Sequence, residues 1–452
     1  MDTSGKILLV LLGFVGLMDC LDGTIVAVAL PTIASDMGVD IAIASWVSVA
    51  YFMMMAGTMI LFGRIADNIS VKAILLAGIC LFSVSSLACG LSPSFIVLIA
   101  ARILQGIGAA MMGATIPMCC VRFFPPSEMG YAFGLITIGY SIGAALGPAL
   151  GGMIVSVLSW HWIFFINIPI GLLLMALLHM RMPSDVRNGD THVDSVGAIW
   201  LFVSIISLVM VLENLGNMTI VGISAAISVI SFILFARQER RCDEPILSLS
   251  IFGNRAFDLN LLGYFLVNVV YMGLIYLLPF YMTVYLGMDS AVSGAFLFIP
   301  PLITVLTGMP VGRWSDRTGR RWFCVASCMF LCAAMVMIAM MDELVLPLYL
   351  AALALMGLTW SFCGGPMCSR VIESTTGESK EMGSTMVNEA GYLGSTVGTV
   401  LFAALFAAFA NAGGVQISEL APDVFMKGFA ITIMIGAVLS AVAAAMSLIV
   451  RD

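Results

Sequence analysis

Fourteen long apolar runs, broken by short polar or turn-rich segments, organise the 452-residue chain. They cover roughly 7–30, 42–63, 72–91, 94–119, 129–154, 161–180 and 194–214, then 217–236, 258–286, 290–311, 322–341, 345–370, 384–410 and 425–449. Each approaches or exceeds the about 20 apolar residues a helix needs to cross a hydrocarbon core. The pattern predicts fourteen transmembrane helices, called spans 1–14 below, and an all-α polytopic membrane protein. Composition strengthens this reading: 61% of residues are hydrophobic and 10% charged, against about 25% charged in a soluble domain. The net charge of −7 adds little, because in a membrane protein the distribution of charge matters more than its sum.

That distribution orients the chain. With the N-terminus inside, the inner segments hold Lys6, Arg64, Lys72, Arg122, Arg181, Arg187, Arg237, Arg240, Arg241 and Arg255. They also hold Arg313, Arg317, Arg320, Arg321, Arg370, Lys380 and Arg451, leaving only Arg102 and Lys427 of the 19 basic residues. Asp36, Asp40, Asp342, Glu343, Glu419 and Asp423 fall on the other face. The positive-inside rule then places both termini in the cytoplasm. Met1–Lys6 and the apolar run after it could suggest a signal peptide. Met18-Asp19 before Cys20 matches neither an A-x-A site nor a lipobox, so span 1 is expected to stay in the mature chain.

A short turn recurs. Gly63-Arg64-Ile65-Ala66-Asp67 follows span 2 and Gly312-Arg313-Trp314-Ser315-Asp316 follows span 10. Matched turns after the second helix of each half indicate two six-helix bundles with spans 7 and 8 inserted between them, a parallel-repeat plan. The expected divisions are an N-terminal bundle 1–180, a cytoplasmic loop 181–193, two inserted helices 194–236, a cytoplasmic loop 237–257 and a C-terminal bundle 258–452.

Asp19 and Asp22 interrupt span 1, and Arg102 interrupts span 4. A buried charge costs roughly 2.5–3.5 kcal/mol on insertion scales, so each needs a partner, a water-filled crevice or a use. A spacing of three puts both carboxylates on one helix face. At about 1.5 Å per residue, Asp22 and Arg102 lie at compatible depths, roughly 24 and 30 Å above the inner ends of their spans. Glu389 lies about two turns into span 13, and functional and bland readings of it are balanced. Glu213 and Asp258 lie near span ends, as do His161, His179 and His192, where interfacial roles are favoured. The 11 cysteines show no CxxC or Cys/His metal spacing. Cys324, Cys328 and Cys332 read as a packing face rather than a metal or redox ladder. The 33 methionines and 27 phenylalanines supply adaptable apolar contacts.

Four local patterns together resemble the major facilitator superfamily, and within it the fourteen-span drug:proton antiporter branch. Leu21-Asp22-Gly23-Thr24-Ile25-Val26-Ala27-Val28-Ala29-Leu30-Pro31 looks like the branch's first-helix signature, with Ala27 where Asn is usual. Arg102-Ile103-Leu104-Gln105-Gly106 resembles a membrane-buried Arg-x-x-Gln-Gly. Gly139, Gly143, Gly147 and Gly151, with Pro148 and Gly152, resemble the antiporter motif of span 5. Trp160-His161-Trp162-Ile163-Phe164-Phe165-Ile166-Asn167-Ile168-Pro169 resembles the start of span 6, with His161 where Arg is common. The turn copies also compare with the family pattern. Asp316-Arg317-Thr318-Gly319-Arg320-Arg321 is intact, whereas Asn68, Ser70 and Val71 replace Arg, Gly and Arg in the first copy.

The resemblance implies alternating access between the two bundles in the cell (inner) membrane. It implies a proton-coupled antiporter exporting amphipathic small molecules, and two carboxylates suit cationic ones. The carboxylates expected to serve proton coupling or substrate are Asp22 and, more speculatively, Asp19, with Arg102 as counter-charge and Glu389 as a further candidate. Gly63, Asp67, Gly312, Asp316, Arg317, Gly319 and Arg320 are expected to act as cytoplasmic latches. The span 5 glycines permit close helix contact, and Pro148 predicts a bend. Partners would be the cargo, protons and lipid, with no nucleic acid, no cofactor, no metal and a monomeric state. The alternative on the same fold is an exporter of an endogenous metabolite, lipid or peptide. A membrane enzyme or a scaffold fits less well, because intramembrane histidine pairs and a sizeable soluble domain are both lacking.

Overall fold

The computed structural model describes residues 3–39, 41–185, 194–214, 217–242, 249–288, 290–341, 345–375, 379–410 and 421–450. Asp40, Arg187, His192, Asp342, Glu343, Glu419 and Arg451 lie outside the described residues, as does the side chain of Glu213. The chain is all-α, with no strand among the described residues. The long helices are α1 (Thr3–Met37), α2 (Trp46–Asn68), α3 (Val71–Gly90), α4 (Phe95–Phe123), α5 (Met129–Val157), α6 (Asn167–Arg181) and α7 (Ser195–Glu213). They continue as α8 (Met218–Glu239), α9 (Arg255–Phe280), α10 (Ile299–Thr318), α11 (Arg321–Ala339), α12 (Leu346–Phe362), α13 (Ser379–Phe409) and α14 (Pro422–Ile449). Among the described residues, 13 helical stretches are long and apolar enough to cross a membrane, and Ser195–Val211 in α7 is a shorter apolar helix.

The boundaries depart from the apolar runs where chemistry overrides hydropathy. Helix α1 continues past residue 30 to Met37, and Trp160 Nε1 donates to Asp36 at 2.9 Å to hold that extension. Span 9 finishes in a π-turn, Tyr281–Tyr285, just beyond Pro279, and α12 is followed by another, Cys363–Met367, containing Pro366. A proline lacks the N–H that would continue the regular ladder, and a wider turn accommodates the gap. Span 10 divides into Ser290–Leu297 and α10, with Pro300 and Pro301 in the first turn of the second piece.

The chain forms two compact units. The first contains Met1–Glu128, Leu135–Gly253 and Thr375–Glu389; the second contains Met129–Gly134, Asn254–Ser374 and Ala390–Asp452. In the first, α4 packs on α2 and α3, and α6 packs on α1 and α3. One apolar core there joins Ile25, Val26, Ala29 and Ile33 of α1 to Val47, Leu98, Ala101, Trp160 and Phe164. Helices α7 and α8 pair through reciprocal bonds: Ser204 Oγ donates to the Ser228 carbonyl at 3.1 Å and Ser228 Oγ to the Ser204 carbonyl at 3.0 Å. The pair meets α2 through α7, whose Phe202 lies against Gly57.

In the second unit, α11 packs on α12 and α14, and α9 packs on α14. The free carbonyls at the end of α14 are capped by cations, a favourable arrangement at a helix C-terminus. Arg370 donates to the carbonyls of Ser447 (3.1 Å) and Val450 (2.5 Å), and Arg321 to that of Leu448 (2.5 Å).

Candidate functional site

Helix α4 carries the cation of the site. Gly106, one turn beyond Arg102, has no side chain to keep α2 away, and a Cβ there would strike the carbonyl of Tyr51. The close approach brings the Val47 carbonyl to Arg102 Nε at 2.8 Å. Arg102 Nη1 then reaches Asp22 Oδ2 at 2.6 Å and Gln105 Oε1 at 2.7 Å. Gln105 Nε2 donates to Asp22 Oδ1 at 2.9 Å and to Ser86 Oγ at 2.7 Å. Asn167 Nδ2 completes the shell at 2.7 Å from Asp22 Oδ1. Arg102 and Asp22 are both 0% exposed. A charge pair taken out of water must have its remaining lone pairs and N–H groups satisfied. Here Asp22 is served by three donors, while Arg102 Nη2 has no hydrogen-bond partner.

Asp19 joins the same network from one turn away. Tyr51 donates its hydroxyl to Asp19 Oδ1 at 2.8 Å, and the face of its ring lies 4.2 Å from the Arg102 guanidinium carbon. One tyrosine therefore touches one carboxylate and, through a cation–π contact, the counter-ion of the other. Asp19 is 3% exposed. The opposite side of α1 is clamped by the glycine face of α5. A Cβ on Gly139 would strike the Gly13 carbonyl, and one on Gly147 would strike Thr24 Oγ1. A Cβ on Gly143 would come 2.5 Å from the Leu17 carbonyl, and one on Gly151 2.9 Å from Ile25. Pro148 lies within this helix, which runs unbroken from Met129 to Val157.

The two repeated turns are built differently. In the second unit, Asp316 accepts the amides of Gly130 and Tyr131 at 2.9 Å each, capping the start of α5. Arg320 donates to Asp316 at 2.7 Å and also pairs with Glu373. Gly312 is pressed against the Gly130 carbonyl, Arg317 is exposed, and Gly319 ends α10 at φ 91°, where a side chain would be strained. In the first unit, Gly63 lies against Thr385, and Asp67 pairs with Arg122 at 3.2 Å and with Arg64 at 3.8 Å. Arg122 is the hub: it also donates to Asp185 at 2.7 Å and, through Nε, to Glu381 at 3.1 Å. Asp185 in turn takes the Ser70 hydroxyl at 2.5 Å and the Val71 amide at 2.8 Å, covering the start of α3.

Asp185 yields a pH-dependent prediction. Burial opposes its charge, but hydrogen bonds from Ser70, Arg122, Val71 and Lys72 outweigh that and hold the carboxyl below its ordinary value. A carboxyl lowered in the folded state stabilises above its unfolded pKa, and the benefit is lost as pH falls through the folded value. Asp185→Asn is expected to lower the melting temperature in detergent at neutral pH. The gap from wild type should close on acidification below about pH 4, the usual carboxylate range. A gap that does not change with pH would show that the charge of Asp185 is irrelevant.

The remaining candidates separate. Glu389 on α13 is 2% exposed, and neither of its carboxyl oxygens has a hydrogen-bond partner. Asp258 lies in the first turn of α9, half-buried, and His161 stacks on Trp160 at 3.7 Å between ring centres. Cys324 and Cys328 are buried on α11 and Cys332 is half-buried. Sequence reasoning missed Tyr51, Ser86, Arg122, Asp185 and Glu381 as members of these networks. It quoted Gln105 and Asn167 only as parts of motifs. A polar amide inside an apolar span was the available signal for both.

Comparison with known proteins gives four findings. The Major Facilitator Superfamily profile matches residues 12–399. The chain is 30% identical over 400 residues to Riboflavin transporter RibZ of Clostridioides difficile (strain 630), covering 86% of each chain. It is 33% identical over 321 residues to Multidrug resistance protein 3 of Bacillus subtilis (strain 168), covering 69% of this chain and 61% of that one. Among solved structures it is similar to the human organic anion transporter MFSD10 (TETRAN), with a TM-score of 0.65 at 17% identity over 97% of this chain and 100% of that chain. At that identity the likeness concerns the fold alone.

Proposed function

This chain belongs to the major facilitator superfamily, a transporter and not an enzyme, and on that premise we propose that it is a proton-coupled antiporter. It lies in the cell membrane as a multi-pass protein and exports amphipathic small molecules, cationic ones among them. The observation that carries this reading is the buried Arg102–Asp22 pair, 2.6 Å apart and fully enclosed. Charges this deep are expensive and mark ion or substrate pathways. The name of the Bacillus relative supports drug export.

Burial favours a protonated acid, a nearby cation favours the carboxylate, and exchange between the two states is a way to couple proton flow to cargo. Asp22, Asp19 and Glu389 are the carboxyls available for this, and Arg102 is the fixed cation. The arginine-rich turns with Asp67 and Asp316 act as latches in this scheme, and the glycine face of α5 holds α1 and its two carboxylates in place. The test is ethidium efflux driven by an imposed pH gradient in proteoliposomes. Asp22→Asn is expected to reduce it by about tenfold or more, equivalent to about 1.4 kcal/mol. Undiminished proton-driven efflux in this variant would sink the assignment.

A second reading rests on the Clostridioides relative, named a riboflavin transporter and aligned over 86% of both chains. It makes the cargo an endogenous metabolite. Competition of riboflavin against ethidium in the same vesicles separates the two.

A further inference from the structure

The turn from α10 to α11 gathers more positive charge than its own acids neutralise. Asp316 is occupied by the amides of Gly130 and Tyr131 and by Arg320, and Glu373 by that same arginine. Arg313, Arg317 and Arg321 pair with no carboxylate among the described residues. Two of the three are nonetheless held in place. The Arg313 guanidinium carbon lies 4.4 Å from the Tyr131 ring centre. Arg321 Nη2 donates to the Leu448 carbonyl at 2.5 Å, and its guanidinium carbon lies 5.6 Å from the Trp322 ring centre. Arg321 Nε has no hydrogen-bond partner, and Arg317, one turn along α10 from Arg313, is exposed.

The same corner turns two tryptophans outward, Trp314 at 58% exposure and Trp322 at 68%. Trp314 meets the Phe323 ring edge-on at 5.0 Å, and Phe323 stacks on Phe362 of α12 at 5.4 Å, which fixes the first indole across the seam from α10 to α11. Exposed Leu306 of α10 and Met329 of α11 continue this surface about two turns deeper into the apolar spans. A guanidinium takes a phosphate through a fork of hydrogen bonds. An indole settles at headgroup level, its body among the chains and its N–H toward water. We propose that this corner is a binding site for one anionic phospholipid. Arg313, Arg317 and Arg321 hold its phosphate end, Trp314 and Trp322 its glycerol region, and Leu306 and Met329 carry its chains. A zwitterionic headgroup would bring a cation of its own to three unneutralised arginines, so charge complementarity selects an anionic one. On the charge asymmetry of the chain the lipid belongs to the inner leaflet, where a negative surface potential attracts basic segments. The site concerns the bilayer and stands whatever the cargo is.

The test is native mass spectrometry of the full-length protein released from neutral detergent, titrated with dioleoylphosphatidylglycerol or dioleoylphosphatidylcholine. Wild type is expected to retain one phosphatidylglycerol at concentrations where phosphatidylcholine is lost. Equal retention of the two lipids overturns the proposal. Each arginine near an anionic lipid is worth about fivefold in affinity. Arg317→Gln removes a side chain that makes no hydrogen bond or ion pair among the described residues, so the fold tolerates it, and retention should weaken by about that factor. Replacing Arg313, Arg317 and Arg321 together by Gln should weaken it by about a hundredfold. Removing the same charge from Arg237, Arg240 and Arg241, exposed at the end of α8, should leave the lipid bound. Equal losses in the two triple variants would mean a general attraction to basic surface and would also overturn the site. Sodium phosphate or glycerol phosphate in excess should not displace the lipid; displacement would leave a bare anion site and overturn the lipid assignment. Trp322→Ala should weaken retention while keeping the preference for phosphatidylglycerol, and undiminished retention would overturn docking on the tryptophans.

Discussion

Replacing Arg102 with alanine is expected to destabilise the detergent-solubilised protein by about 3–5 kcal/mol and to abolish transport. The side chain is fully enclosed, serves Asp22, Gln105 and the Val47 carbonyl, and lies over the Tyr51 ring. Its loss leaves Asp22 with amide donors but no opposite charge. Removing both charges is a smaller offence than removing one. Arg102→Ala combined with Asp22→Asn should therefore unfold at a higher temperature than Arg102→Ala alone, although it too should not transport. If the two costs simply add, the pair is not coupled. Arg102→Lys is expected to rescue only partly, because an ammonium cannot reproduce the fork that reaches three acceptors at once.

The second large effect concerns the contact between α1 and α5. Gly147→Val is expected to exceed the about 1–3 kcal/mol that overpacking typically costs. The new side chain would run into Thr24, whose hydroxyl is held by the Cys20 carbonyl at 2.9 Å and which continues into the helix backbone. Relief would require α1 to shift, taking Asp19 and Asp22 with it, so efflux and thermal stability should fall together. Gly152→Val is the control: five residues along, its nearest neighbour would be Val28 at 4.0 Å. Equal behaviour of the two variants would show that α5 does not hold α1 in this way.

The helices were legible in sequence because a bilayer leaves the backbone little choice: every N–H and C=O in hydrocarbon must be satisfied within its own segment. The Asp22–Arg102 pair was legible for a related reason, since two opposite charges at compatible depth have few other ways to exist there. What surrounds them was not. Tyr51 is an ordinary aromatic in an apolar run, and only the closeness permitted by Gly106 places its ring beneath Arg102. The Arg122 hub joins residues 63 and 259 positions apart, and nothing local in Asp185 or Glu381 announces it. The weakened first turn pointed to a deficit near Ser70; that an acid from beyond α6 fills it required the fold. Spans 9 and 12 were read straight through Pro279 and Pro366, and the helices do continue there, although nothing in the apolar runs showed that they widen into π-turns.

The reciprocal seryl bonds between α7 and α8 bear on how self-sufficient that hairpin is. A hairpin whose buried polar atoms satisfy one another makes few chemical demands on its host, and on α2 a glycine-sized notch at Gly57 receives Phe202. A segment of this kind is portable. Exchanging the hairpin for another pair of apolar helices would then call for little more than a side chain that fits the Gly57 notch.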